Sequence, residues 1–147
     1  RIFDAGMTEL GRPYFVMELV RKALGNLKGR KIAALGLAYK PDVDDLRESP
    51  AAEVVHLLQK EGAIVKAFEP FKPEGLPNMD CTPTLEDALE DAEAALLLVK
   101  HTEFRSLTPE KLRALTPAKI LVDTVNGWAG QDWEKAGFKL HRLGVDK

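Results

Sequence analysis

The sequence predicts an α/β fold: an open parallel sheet between two layers of helices, preceded by a connecting helix. Three observations carry this expectation. Short apolar runs alternate with stretches of helical periodicity at least four times, as strand–helix–strand units with right-handed crossovers do. One run, Ala94-Ala95-Leu96-Leu97-Leu98-Val99, is apolar at every position, as a strand covered on both faces must be. The chain has 147 residues, 45% of them hydrophobic and 30% charged, a size and balance at which one core holds without a disulfide or a metal.

The elements follow in order. Residues 1–29 read as a linker and connecting helix. Residues 1–12 show no strong pattern, but from Pro13 the apolar residues Phe15, Val16, Leu19, Val20 and Ala23 recur at helical spacing, and Gly25-Asn26 stops the run. Proline suits a helix start, where its missing N–H would have no partner. The stripe needs a surface, either the domain that follows or a partner. A domain over 30–147 begins with the strand Ile32-Ala33-Ala34-Leu35 and a long loop, 36–50. Ser49-Pro50 is an N-cap followed by proline at the first helical position, opening a helix with Ala51, Val54, Val55 and Leu58 on one face and Gly62 at its end. Ile64–Phe68 is the second strand. Residues 69–77 hold too much proline for regular structure. A short strand near Cys81 and a helix capped by Thr84 lead to the run at 94–99. Thr108-Pro109 caps a helix to Leu115, Ile120–Asp123 is a further strand, and a short helix at 132–136 precedes a last strand at 138–143. The sum is a Rossmann-like three-layer sandwich.

Composition excludes some functions. Lys and Arg number 21 against 23 Asp and Glu, a net charge of −2, so there is no global field for nucleic acid or an anionic membrane. Any anion site must be local. Cys81 is the one cysteine, which rules out an intrachain disulfide and fits a reducing, cytoplasmic setting. No apolar run approaches the ~20 residues of a spanning helix. The chain starts at Arg1 with neither initiator methionine nor signal peptide, so it is expected to be a piece of a longer protein.

Loop 36–50 is the candidate site. It is far longer than the ~2–6 residues usual between strand and helix. It lies at the carboxyl edge of the sheet, where open α/β folds bind ligands. Lys40 and Arg47 bracket it, and Arg47 precedes a helix N-terminus that favours anions. Asp42, Asp44, Asp45 and Glu48 would repel a phosphate unless they pair with Lys40 or Arg47 or face water. Spacing alone leaves a ligand site and a solvated connector equally open.

Several chemistries fit poorly. The dinucleotide fingerprint G-x-G-x-x-G is absent, because Ala38 stands where its second glycine belongs. Asp42, Asp44 and Glu53 match a calcium loop at three positions, but Leu46 and Arg47 break the pattern. A phospho-acceptor receiver domain needs an Asp ending its third strand, and none stands there. Cys81 has no adjacent histidine and reads as an inert, half-buried thiol. His56 sits in a helix, and His101 follows a buried strand as a cap or surface residue; His141 reads as surface. Asp123-Thr124-Val125-Asn126-Gly127-Trp128 shares the carboxyl edge with the loop, either to grip a ligand or simply as a tight turn with Asn126-Gly127 at positive φ. Trp128 either stacks on a ring or plugs the sheet edge.

The segment Gly36-Leu37-Ala38-Tyr39-Lys40-Pro41-Asp42-Val43-Asp44-Asp45-Leu46-Arg47-Glu48-Ser49-Pro50 closely resembles the C-terminal, UDP-sugar-binding domain of the UDP-glucose/GDP-mannose dehydrogenase family, nearest its UDP-N-acetyl-D-mannosamine dehydrogenase branch. The resemblance covers about residues 30–145. It implies an NAD-dependent oxidation of a UDP-sugar C6 alcohol to the uronate, with most of the NAD and the catalytic cysteine held by upstream domains of the same chain and the whole enzyme a homodimer. On that pattern Tyr39 and Lys40 would contact the UDP-sugar and Arg47 would reach the NAD. The fragment by itself would be inactive. Three features depart from the pattern. Neither the dinucleotide fingerprint nor the Gly-x-Cys-x-Pro-Lys context of the catalytic cysteine is present, and Cys81 does not replace it. Val125 stands where many members carry a substrate-holding arginine; Asn126 or Trp128 would have to compensate, or the substrate differs. The alternative is a non-catalytic nucleotide-sugar-binding or scaffolding module.

Overall fold

The computed structural model describes residues 12–143. Helix α1, Arg12–Leu24, comes first. Strand β1 is Lys31–Leu35, helix α2 Pro50–Lys60 and strand β2 Ile64–Phe68. A two-residue strand β3, Asp80–Cys81, precedes helix α3, Leu85–Leu89. Strand β4, Ala94–Leu97, is followed by a short helix α4, Thr102–Arg105, and by α5, Pro109–Leu115. Strand β5 is Ile120–Asp123, and after a 3-10 turn at Glu134–Ala136 strand β6, Lys139–Arg142, closes the order.

The six strands form one sheet in the order β3-β2-β1-β4-β5-β6, and every neighbouring pair is parallel. This is the doubly wound order of dinucleotide-type folds; receiver domains run 2-1-3-4-5, so the receiver alternative is excluded by topology. The expected α/β sandwich is therefore the observed one. Alternation along the strands makes the two cores. Ile32, Ala34, Val65, Ala67, Ala94, Leu96 and Val122 face α1 and α2. Ala33, Leu35, Phe68, Ala95, Leu97 and Leu121 face α3, α4, α5 and the tryptophans 128 and 133. β4 is buried at all four positions, as its unbroken apolar run requires.

Three of the expected caps are present. Ser49 Oγ accepts the Ala52 N–H, Thr84 Oγ1 that of Asp87, and Thr108 Oγ1 that of Lys111. Helix α1 docks on this same domain: Val16, Met17, Leu19, Val20 and Leu24 are buried in the α2-side core, and Arg21 forms an ion pair with Glu61 at the end of α2. The strand expected over 94–99 ends at Leu97, and α4 was not legible in the sequence. Among the described residues no helix is long and apolar enough to cross a membrane.

Candidate functional site

The chain leaves β1 toward β2 on one side and β4 toward β5 on the other. Their carboxyl ends therefore open a crevice between them, the switch point at which open α/β sheets take ligands. Loop 36–49 hangs from β1 and residues 98–101 from β4. Gly36 lets the two approach: its φ is +100°, and a Cβ there would lie 2.6 Å from Val99 Cβ.

A buried carboxylate organises the loop. Glu69, wholly buried beyond β2, accepts the N–H groups of Leu37 at 2.8 Å and Ala38 at 3.0 Å on Oε1, and that of Phe71 at 3.0 Å on Oε2. His101, also wholly buried, places Nε2 3.0 Å from the same Oε1, while its Nδ1 accepts the Asp42 N–H at 2.8 Å. Because Nδ1 is an acceptor, the proton sits on Nε2 and is donated to Glu69. Burial pushes the Glu69 carboxyl upward, but the hydrogen bonds from His101, Leu37 and Phe71 outweigh it and leave the group below its ordinary value. His101 does take the N-cap position of α4, as the sequence suggested, but its side chain makes no capping hydrogen bond and is buried rather than on the surface. A buried carboxylate needs a donor, and the chain supplies one from the neighbouring loop.

Two acids of the loop, Asp42 and Asp45, are occupied away from the crevice. Asp42, in the left-handed region at φ 62°, accepts the Thr102 N–H and hydroxyl, each at 2.8 Å, and so ties the loop to the start of α4. Those bonds, backbone first, hold its carboxyl below the ordinary range. Asp45 binds the Arg47 guanidinium through both oxygens at 3.0 Å, and the arginine holds it at about 2. Asp42 is committed to Thr102, and the calcium-loop acids Asp42, Asp44 and Glu53 do not converge. Among the described residues no group of three or more His, Cys, Asp or Glu side chains is placed to hold a metal.

The crevice is an open cleft with a cavity volume of about 120 Å³. Tyr39, Lys40, Val99 and Lys100 line it from the β1 and β4 loops, Thr124 and Val125 from β5, and Arg12 and Val16 from α1. Tyr39 is 50% exposed at its mouth. Arg47 is not in this lining; it stands 88% exposed on the outer side of the loop. The structure thus brings Tyr39 and Lys40 together and sets Arg47 apart, facing outward.

The β5 turn is built by Asp123. Its buried carboxylate accepts the N–H groups of Val125 and Gly127 at 3.1 Å and of Trp128 at 2.8 Å, which fixes Val125 against the cleft. Asn126 supplies the positive φ, at 56°, whereas Gly127 is needed because a Cβ would press on Leu97 at 2.8 Å. Neither proposed substitute for an arginine at 125 reaches the cleft. Asn126 bonds Arg142, and Trp128 is wholly buried against Trp133, so it plugs the sheet edge. The residue that sequence reasoning missed is Arg12, whose Nη2 donates to the Thr124 carbonyl at 3.1 Å. It lay in a stretch without periodicity, and only its place just before Pro13 marked it. Cys81 is a half-buried free thiol outside the cleft.

A doubly wound parallel sheet with a cationic, aromatic-edged cleft at its switch point defines a nucleotide-binding type of α/β domain. Sequence comparison makes this specific. The family model described as "UDP-glucose/GDP-mannose dehydrogenase family, UDP binding domain" matches residues 33–129. The chain belongs to that family. It is 34% identical over 134 residues to a UDP-glucose 6-dehydrogenase of Rhizobium meliloti, covering 86% of this chain and 30% of the relative. To a UDP-N-acetyl-D-mannosamine dehydrogenase of Methanocaldococcus jannaschii it is 35% identical over 138 residues, 92% of this chain and 31% of the relative. Among solved structures, the UDP-D-ManNAc dehydrogenase of Pyrococcus horikoshii superposes with a TM-score of 0.77 at 26% identity, covering 97% of this chain and 35% of that one. The chain spans about a third of the length of these proteins.

Proposed function

We propose that this chain is the C-terminal, UDP-sugar-binding domain of an NAD-dependent nucleotide-sugar 6-dehydrogenase that oxidises a C6 alcohol to the uronate. UDP-N-acetylmannosamine is the proposed substrate, and polysaccharide precursor synthesis in the cytoplasm the proposed setting. One observation carries the reading: Tyr39 and Lys40 stand together in the switch-point cleft, inside the segment that matches the family's UDP binding domain. Lys40 offers an ammonium to phosphate oxygens and Tyr39 a ring and hydroxyl to the base or sugar.

This chain's own β1 turn does not fit a dinucleotide pyrophosphate. Gly36 is used up by its contact with Val99, and no second glycine bares the backbone. NAD enters the reading only as a cofactor held by an upstream domain of the same polypeptide, met from this side by the outward Arg47. In this reading 1–29 is the connecting helix and linker and 30–147 the UDP-sugar domain, while the catalytic cysteine and the homodimer contacts lie upstream.

The test is a UDP-sugar titration followed by amide NMR. Tyr39 and Lys40 should shift, and Lys40→Ala should weaken binding by about tenfold or more. Saturating ligand that moves neither residue would overturn the assignment. Binding without oxidation in the complete polypeptide would favour the non-catalytic module.

A further inference from the structure

Between Tyr39 and Asp45 the ligand loop closes on itself, the Tyr39 N–H donating to the Asp45 carbonyl at 2.7 Å. Lys40 and Asp42 lie inside this bend. Below it, Glu69 holds the N–H groups of Leu37 and Ala38. The anchors of the bend itself are different. The Asp42 N–H donates to His101 Nδ1 at 2.8 Å, and the Asp42 carboxylate accepts both donors of Thr102, the next residue after His101. Main chain and side chain of Asp42 are thus both tied to the start of α4. The imidazole is fixed in turn. Its Nε2 bonds Glu69, and its ring packs on those of Phe71 and Phe104, with centroids 5.0 and 5.6 Å away. The two ring nitrogens therefore face different surroundings. Nε2 meets a carboxylate with no solvent exposure, where loss of a donor costs stability. Nδ1 meets the N–H of an exposed residue, which water can take over at little cost to the fold. Water cannot supply the position of the bend, and Lys40 is two residues from that anchor.

We propose that His101 is the positioning residue of the ligand loop: through Nδ1 and the Asp42 N–H it sets where Lys40 meets the ligand, while through Nε2 it supports the fold. The nature of the ligand rests on the nucleotide-sugar reading; the anchor does not. Asparagine and glutamine separate the two nitrogens. Asparagine at 101 sets an amide oxygen near the place of Nδ1 and can accept the Asp42 N–H, but it is too short to reach Glu69. Glutamine sets an amide nitrogen near the place of Nε2 and can donate to Glu69, but it offers no acceptor to Asp42. Affinity should follow the first bond and stability the second.

The experiment is a calorimetric titration of the chain with UDP for wild type, His101→Gln, His101→Asn, Lys40→Ala and the double variant His101→Gln with Lys40→Ala, with thermal melts and amide NMR on each. His101→Gln should bind UDP about tenfold more weakly while melting close to wild type, and its Lys40 and Asp42 amides should shift. His101→Asn should melt lower yet recover most of that affinity. The double variant should bind UDP within about twofold of Lys40→Ala, because His101 acts through Lys40. Wild-type affinity in His101→Gln overturns the proposal. So does additivity in the double variant, or an affinity that falls in step with the melting temperature, which marks a merely structural residue. If wild type binds no UDP, the nucleotide-sugar reading falls and the NMR decides the anchor. Lys40 and Asp42 amides unmoved in His101→Gln then overturn it; amides that move in His101→Gln and return in His101→Asn uphold it.

Discussion

Glu69 Oε1 and His101 Nε2 lie 3.0 Å apart in a pair with no solvent exposure, and together they hold three backbone N–H groups of loop 36–49. The loop that carries Tyr39 and Lys40 is therefore positioned from beneath, by one group just beyond β2 and one at the start of α4.

Glu69→Gln should destabilise the fold by about 2–4 kcal/mol, because an amide nitrogen must then face backbone donors that have no other acceptor. Urea denaturation measures the loss, and hydrogen exchange should show the Leu37 and Ala38 amides opening first. A stability within error of wild type would remove Glu69 from its organising role.

The same pair sets a pH dependence. Folding lowers the Glu69 value below its ordinary 4.5, so its contribution is fully present above about 4.5 and is lost as pH falls through the lower folded value. The stability gap between wild type and Glu69→Gln should accordingly be constant near neutrality and shrink under acid. Asp45, held at about 2, loses its own contribution as pH falls below its ordinary 3.8, but it is present in both proteins and so cancels from the gap. Denaturation curves from pH ~7 to ~3 check this; a gap that widened under acid would contradict it.

Gly36→Ala should cost about 1–3 kcal/mol, since the residue must adopt φ +100° and its methyl would meet Val99 Cβ at 2.6 Å. The chains leaving β1 and β4 would be forced apart, so UDP affinity should fall with stability. Calorimetry on a variant that remains folded reads both. An unchanged melting temperature would refute the contact.

Arg47→Ala should leave the unfolding midpoint unchanged, because the side chain is 88% exposed and its ion pair with Asp45 is a surface one. Steady-state kinetics on the complete polypeptide should then show a raised KM for NAD, with UDP-sugar binding intact. A selective loss of UDP-sugar affinity would instead place Arg47 on the substrate.

Much of this protein was legible in its residues. The alternation of apolar runs with helical stripes determined a parallel α/β sandwich, because period and burial dictate which face each side chain takes. Ser49, Thr84 and Thr108 announced their helix starts, since capping is local chemistry. The segment 36–50 announced the family and drew attention to Tyr39 and Lys40. Only the tertiary structure decided what depends on contacts distant in sequence. Glu69 lies 32 residues from His101, and Arg12 lies 112 from Thr124. No window of sequence holds both members of either pair. Strand order brought them together, burying one pair under the loop and setting a guanidinium at the cleft, while Asp42 and Asp45 turned away to Thr102 and Arg47. The sequence alone determined the sheet and its motif. The charge of the site was decided by packing, because a side chain's field depends on where its partners lie.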